Sequence, residues 1–151
     1  MHQNPGQIPT LRRVDIFNYD ILIFPMHLKP SDPKIPNHWA LAIVYFTCGQ
    51  ILYYDSILSP RHEQQYGSLV RSGLENLKLF IEQEHLRKKE SSMCTNLRIM
   101  MVKKIPEQSN DVDCGVFLLY FATQAMKNNF DMCSASKHIS NFREHIRRVI
   151  R

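Results

Sequence analysis

The stretch Pro106–Ala122, PEQSNDVDCGVFLLYFA, decides how the rest of the chain is read. Eight mostly polar, turn-forming residues lead into Cys114 and Gly115, and Val116 to Ala122 are then apolar without a break. A run that is apolar nearly all round marks a helix buried in the middle of a domain, here from Gly115 to about Lys127. Cys114 then stands where that helix begins. A thiol in this position is either inert packing or a nucleophile. The start of a helix favours the thiolate through its unpaired N–H groups and the positive end of its dipole. A neighbouring imidazolium would favour it further, and the same imidazole could return a proton to a leaving amine.

Composition sets the frame for that choice. The chain has 151 residues, 44% hydrophobic and 22% charged, which fits one globular domain with an ordinary core. The longest apolar runs, WALAIVYF and VFLLYFA, fall short of the roughly 20 residues that cross a bilayer. The first residues, MHQNPGQIPTLRR, contain no apolar signal region and read as a tail over 1–13 ahead of a domain over 14–151. A soluble, non-secreted protein of the nucleus or cytoplasm is expected. Cysteines at 48, 94, 114 and 133 form no CxxC pair and read as reduced thiols rather than a disulfide framework or a zinc site. The net charge of +5 could attract nucleic acid. No Lys/Arg block exceeds RKK or RR, so a moderately basic surface accounts for it.

Around the quoted stretch the sequence alternates strand and helix signals. DILIFPMHL, Asp20–Leu28, begins as a β-rich apolar run, and three prolines in the following KPSDPKIPN require a loop into His38. HWALAIVYF is apolar on both faces, as in a strand at the centre of a covered sheet, and QILYYD returns beside it after a tight turn at Cys48-Gly49. From Gly67 to Lys89, Val70, Leu74, Leu77 and Ile81 recur at steps of four, three and four, predicting an amphipathic helix. LRIMMVKKI is a further strand. SASKHISNFREHIRRVIR closes the chain as a helix with Ile139, Phe142, Ile146 and Val149 on one face. Strands in the middle with helices flanking them make the class α+β.

If Cys114 acts, it needs a base. Of seven histidines, His38 is best placed, where the Pro-rich loop enters the central strand. His2 lies in the tail, His27 ends a strand with no acid at a useful position, and His62, His85, His138 and His145 occupy polar contexts that suit a solvated ring. A base also needs an acceptor on its far nitrogen, and Asp55 can supply it. With Cys48-Gly49 as a two-residue turn, Asp55 faces Ala42, which shares parity with His38, so His38 and Asp55 point to one face of the sheet. That register leaves Asp55 four residues along from His38, roughly 13 Å at strand rise, so contact needs strong twist, a bulge or a folded-back His38. Gln108, six residues before Cys114, could join the Cys114 N–H in stabilising an oxyanion. From its spacing alone Gln108 reads as an ordinary surface glutamine.

HWALAIVYF and ILYYDS followed by IPEQSNDVDCGVF resemble the ubiquitin-like-protein-specific cysteine proteases, the sentrin or SUMO proteases. That family carries a His-Trp at a strand start, an Asp-Ser at the end of the next strand, and a Gln five residues ahead of an Asp-Cys-Gly at a helix start. VDIFNYDILIFPMHL and NFREHIRRVI are also similar to the corresponding parts of the family, so the resemblance runs from about Val14 to the C-terminus. It implies a papain-like fold with a central mixed sheet flanked by helices. It further implies His38 as general base and acid, Asp55 as its orienter, Cys114 as nucleophile and Gln108 in the oxyanion hole, with no cofactor and no metal. Trp39 would lie over a channel for a Gly-Gly tail, since only glycines are thin enough for a backbone to pass beneath an indole. The plain alternative for Trp39 is a core aromatic.

The resemblance implies a thiol isopeptidase that cleaves after the C-terminal Gly-Gly of SUMO or a related ubiquitin-like protein. Such an enzyme would act as a monomer, with no membrane and no obligate nucleic acid. Relative to the family, the chain is short at the N-terminus, where helices and a second channel tryptophan are expected. The loop before His38 is longer than usual, and Asp111 replaces a turn glycine. Asp113 matches the family and reads as a helix N-cap. Two alternatives stand beside the enzyme: a silent module that binds a ubiquitin-like protein, and a protease for another modifier such as NEDD8.

Overall fold

The computed structural model describes residues 14–89, 96–128 and 139–150. Four strands form one mixed sheet in the order β1 (Ile21–Leu28), β2 (His38–Tyr45), β3 (Gln50–Tyr54), β4 (Arg98–Met101). The first three are antiparallel neighbours, and β4 runs parallel to β3. Helices α1 (Pro60–Lys89), α2 (Cys114–Met126) and α3 (Ile139–Val149) complete the fold. This is the α+β architecture expected from the sequence. Pro25 lies inside β1, which is tolerated because β1 is an edge strand and its outer side has no ladder to break.

The strand β2 is buried on both faces, as its unbroken apolar run requires. Leu41, Ile43 and Tyr45 join Tyr54, Phe117, Leu118 and Phe121 in a core beneath α2. Ala40, Ala42 and Val44 point the other way and join Ile51, Tyr53, Val70, Leu74, Leu77 and Ile81 beneath α1. The predicted stripe Val70, Leu74, Leu77, Ile81 is the buried face of α1.

That helix begins seven residues before the predicted Gly67. Ser59 accepts from the His62 N–H at 3.2 Å through its hydroxyl, and from the Glu63 N–H at 3.0 Å through its carbonyl. Pro60 takes the first helical position, where a missing N–H costs nothing. The apolar periodicity starts only at Tyr66, so the polar first turn was invisible to pattern reading, and that turn carries His62. At the chain's other end, Ile139 is buried and Phe142 packs on the α2 core, but Val149 is 70% exposed, so the predicted stripe of α3 is used only in its first half. The expected tail, residues 1–13, lies outside the described residues.

The hairpin between β2 and β3 departs from the expected turn. Tyr45 pairs with Gln50 and Leu41 with Tyr54, so the loop is Phe46–Gly49 rather than Cys48-Gly49 alone. Gly49 donates to the Phe46 carbonyl at 3.3 Å and has φ 62°. A two-residue turn of the favoured primed type would have put Cys48 in a left-handed conformation that its Cβ resists, whereas the longer loop places glycine there.

Candidate active site

Continuing the observed register by one residue sets Asp55 opposite Ala40, not Ala42. The shift is two residues, so the faces predicted for His38 and Asp55 are kept while the separation along the strands falls to about 7 Å. Contact then needs no bulge and no folding back. His38 Nε2 lies 2.7 Å from Asp55 Oδ1, with His38 4% and Asp55 3% exposed.

Three further groups surround the carboxylate. The Tyr53 hydroxyl donates to Oδ2 at 2.6 Å, the Ile57 N–H donates to Oδ1 at 3.0 Å, and His62 Nε2 stands 3.7 Å from Oδ2. Burial pushes the carboxyl up, but the hydrogen bond and charge of His38, the Tyr53 hydroxyl and His62 outweigh it and hold Asp55 below the usual carboxylate range. Asp55 is therefore ionised at neutral pH. An ionised carboxylate only accepts, so His38 Nε2 carries the proton between them and Nδ1 is the nitrogen left for other work. Burial, then the Asp55 charge and the hydrogen bond to it, push the Tyr53 hydroxyl far up, keeping it a neutral donor.

Cys114 is the first residue of α2 and is buried. Asp113 occupies the N-cap position, yet its carboxylate makes no cap hydrogen bond. It accepts instead from Asn110 Nδ2 at 2.7 Å and pairs with the Arg143 guanidinium of α3. The expectation that Asp113 caps the helix holds for position and fails for the side chain. The turn is organised by Asn110, whose Oδ1 accepts from the Val112 and Asp113 N–H groups at 3.0 Å each. A carboxylate turned toward Arg143 leaves the first N–H groups of α2 without a side-chain cap from Asp113.

Gln108 is anchored to the residue after Asp55. Its N–H donates to the Ser56 carbonyl at 2.8 Å, and its side-chain Oε1 accepts from the Ser56 hydroxyl at 2.6 Å. The Asn110 carbonyl, which can only accept, fixes which end of the amide is the donor: Nε2 turns toward it and donates one hydrogen, while the Ser56 hydroxyl holds Oε1. Gln108 is thus a placed group and not a free surface side chain.

Tyr66 links these parts. Its ring lies 5.5 Å from that of His38, and its hydroxyl donates to the Pro36 carbonyl at 2.7 Å, tying the Pro-rich loop to α1. Burial first, then the charges of Cys114, Asp55 and Asp111, push its hydroxyl pKa up. A cleft of about 300 Å³ opens between the Pro-rich loop and α1, lined by Asn37, His38, His62, Tyr66 and Asp111 among others.

Trp39 follows His38 and, by strand alternation, faces the α2 side of the sheet. It is 40% exposed, so it is not a core aromatic. His27, set aside in the sequence for want of an acid, stacks on its indole with ring centroids 4.5 Å apart and planes 18° apart. Sequence reading also missed His62. Its Nε2 is buried without a hydrogen-bond partner, and its ring lies edge-on to His38 at 4.6 Å and stacked on Tyr66 at 4.5 Å. Only Ser59-Pro60 as a helix start could have signalled it. Burial, then the positive charge of a protonated His38, lower the pKa of His62, with the Asp55 charge opposing them.

Comparison with known proteins matches this geometry to a family. The chain is 32% identical over 117 residues to a sentrin-specific protease of Caenorhabditis elegans, covering 77% of this chain and 14% of that protein. Its fold superimposes on a de-sumoylating protease with a TM-score of 0.58 at 18% identity, covering 85% of this chain and 46% of the other. It also superimposes on the C-terminal Ulp1 protease domain solved in complex with SMT3, the yeast ortholog of SUMO, with a TM-score of 0.53 at 17% identity, covering 79% and 47%. The chain thus spans about a seventh of that relative and under half of each solved chain. Residues 5–150 match the Ulp1 protease family, C-terminal catalytic domain, and the chain belongs to that family.

Proposed function

We propose that this chain is a thiol isopeptidase that hydrolyses the bond after the C-terminal Gly-Gly of SUMO or a related ubiquitin-like protein. The observation that carries the reading is the buried His38–Asp55 pair, which spends Nε2 on the carboxylate and leaves Nδ1 for proton transfer. The solved Ulp1 domain in complex with SMT3 supports the choice of modifier. The free thiols of Cys48 and Cys114 suit the reducing cytosol or nucleus.

In this reading the four site residues divide the reaction among them. His38 Nδ1 takes the Cys114 proton, and the sulfur attacks the glycine carbonyl carbon. The resulting oxyanion is held by the Cys114 N–H and the Gln108 Nε2 hydrogen not used by Asn110. His38 then gives its proton to the leaving amine, and the carbon–nitrogen bond breaks to leave a thioester. Water, deprotonated by His38, attacks the thioester, and Cys114 departs as thiolate and is reprotonated. Trp39, exposed and steadied by His27, roofs the approach of the Gly-Gly tail.

Incubation with a SUMO C-terminal fluorogenic substrate and with a SUMO vinyl-sulfone probe tests this. Turnover and one covalent adduct are expected, both abolished by Cys114→Ser. Folded protein that binds the modifier and neither turns over nor labels would instead make it a silent binding module.

A further inference from the structure

Proteolysis by a thiol requires one imidazole, yet two share the Asp55 carboxylate. His38, Asp55 and His62 are all buried, and one ligand atom from each lies within 4.8 Å of the others. Two imidazoles and a carboxylate are the donor set of many zinc sites. Bonds of about 2.0 Å in a tetrahedron put ligand atoms about 3.3 Å apart. His38 Nε2 lies 2.7 Å from Oδ1 and His62 Nε2 3.7 Å from Oδ2, different oxygens of one carboxylate, and a set of one atom from each group spans no more than 4.8 Å, so closing on an ion takes only a small side-chain shift.

The second observation is the orphaned nitrogen. His62 Nε2 is buried, has no hydrogen-bond partner, and points at the carboxylate from beyond hydrogen-bond range. A buried ring nitrogen left unsatisfied is costly, and a cation between the three groups would satisfy it. His62 is held in place by stacking on Tyr66 and by its position in the first turn of α1. It also borders both the cleft of about 300 Å³ beside His38 and a second of about 400 Å³ behind Asp55. An ion can therefore enter, and a water can complete its coordination.

We propose that His38, Asp55 and His62 form an inhibitory site for a divalent cation of the zinc class. Binding places the metal on the two Nε2 atoms and one Asp55 oxygen. The single ring proton of neutral His38 is displaced from Nε2, released to solvent, and one proton is taken up again on Nδ1, the nitrogen left without metal. A ring metallated on one nitrogen and protonated on the other has no position for a second proton. It cannot alternate between imidazole and imidazolium, and the proton transfers of the thiol reaction stop. The binding claim stands on the three side chains alone, while the inhibition claim rests on the protease reading.

The test uses the full 151-residue chain and zinc ion. In a Cys114→Ser background, zinc is titrated in competition with a chromophoric chelator. One equivalent is expected to bind, with affinity falling at least ~10-fold in His62→Phe, a loss that even removal of an outer-sphere partner produces. His62→Gln serves as the second variant if the first does not fold. Imidazole NMR resonances of His38 and His62 should shift on metal addition while those of His27 stay. In the Cys114-containing chain, zinc should suppress turnover, EDTA should restore it, and the ratio of rates with and without zinc should move toward one in His62→Phe. Zinc affinity unchanged from the parent chain in a folded His62 variant, or shifts confined to other residues, would place the metal elsewhere and overturn the proposal. Absence of turnover both with and without zinc would refute the protease reading and leave the chelator titration to judge the site.

Discussion

His38 and Asp55 lie 17 positions apart and meet at 2.7 Å because a four-residue loop, not a two-residue one, joins β2 to β3. The loop length sets the register, and the register sets whether the imidazole meets the carboxylate. Asp55 has little freedom in this role, since Tyr53 and Ile57 also donate to it.

Replacing Asp55 by Asn is expected to lower kcat by roughly two to four orders of magnitude, the scale seen when a triad loses the acceptor that fixes its histidine tautomer. Asp55→Ala leaves the Tyr53 hydroxyl and the Ile57 N–H without their partner. It should also cost about 3 kcal/mol in urea unfolding. Steady-state kinetics and equilibrium denaturation check the two effects separately.

Gln108→Ala should reduce kcat on the order of 100-fold or more with little change in KM, as for loss of an oxyanion donor. Ser56→Ala removes the hydroxyl that holds Oε1 of the amide, so a smaller reduction is expected. Because Ser56 acts through Gln108, the double variant should be no slower than Gln108→Ala. Additive losses would show that Ser56 acts elsewhere.

The ion pair between Arg143 and Asp113 fastens α3 to the turn before Cys114. Arg143→Ala should lower stability by about 0.5–1 kcal/mol, the range of a partly exposed pair. It should also slow labelling of Cys114 by the vinyl-sulfone probe, because a released Asp113 carboxylate can compete for the α2 N–H groups. Arg143→Lys should recover part of both losses.

Acid should destabilise the fold in two windows. His62 has a folded pKa below its ordinary value of 6.5, so the unfolded chain takes up the proton first and stability falls as pH drops from about 6.5 toward the folded value. Asp55 is held below its ordinary 3.8, so its contribution is complete above that pH and is lost as pH falls through the folded value. Thermal midpoints measured from pH 8 to pH 3 should decline in both windows. His62→Phe should remove the first decline and keep the second.

Phe121 lies on α2 two turns beyond Cys114 and is 1% exposed. Phe121→Ala should cost about 3–5 kcal/mol through cavity formation. Unfolding in denaturant gives the value directly.

Much of this protein was legible in its letters, because burial and periodicity are local properties. The apolar run after Cys114 announced a helix, though one buried on a single face, with Leu119 and Met126 exposed; the double-sided run after His38 announced a covered strand, and the His-Trp, Asp-Ser and Gln-to-Cys spacings carried the family resemblance. What the sequence could not determine were distances across elements. Hairpin register depends on which loop residue accepts a left-handed conformation, and that moved Asp55 by two places. The orientation of Gln108 depends on a hydroxyl 52 positions away. His62 joined the site because a serine and a proline start α1 before any apolar rhythm begins. These are outcomes of packing, where groups remote in the chain compete for the same space and the same hydrogen bonds, so only the folded molecule resolves them.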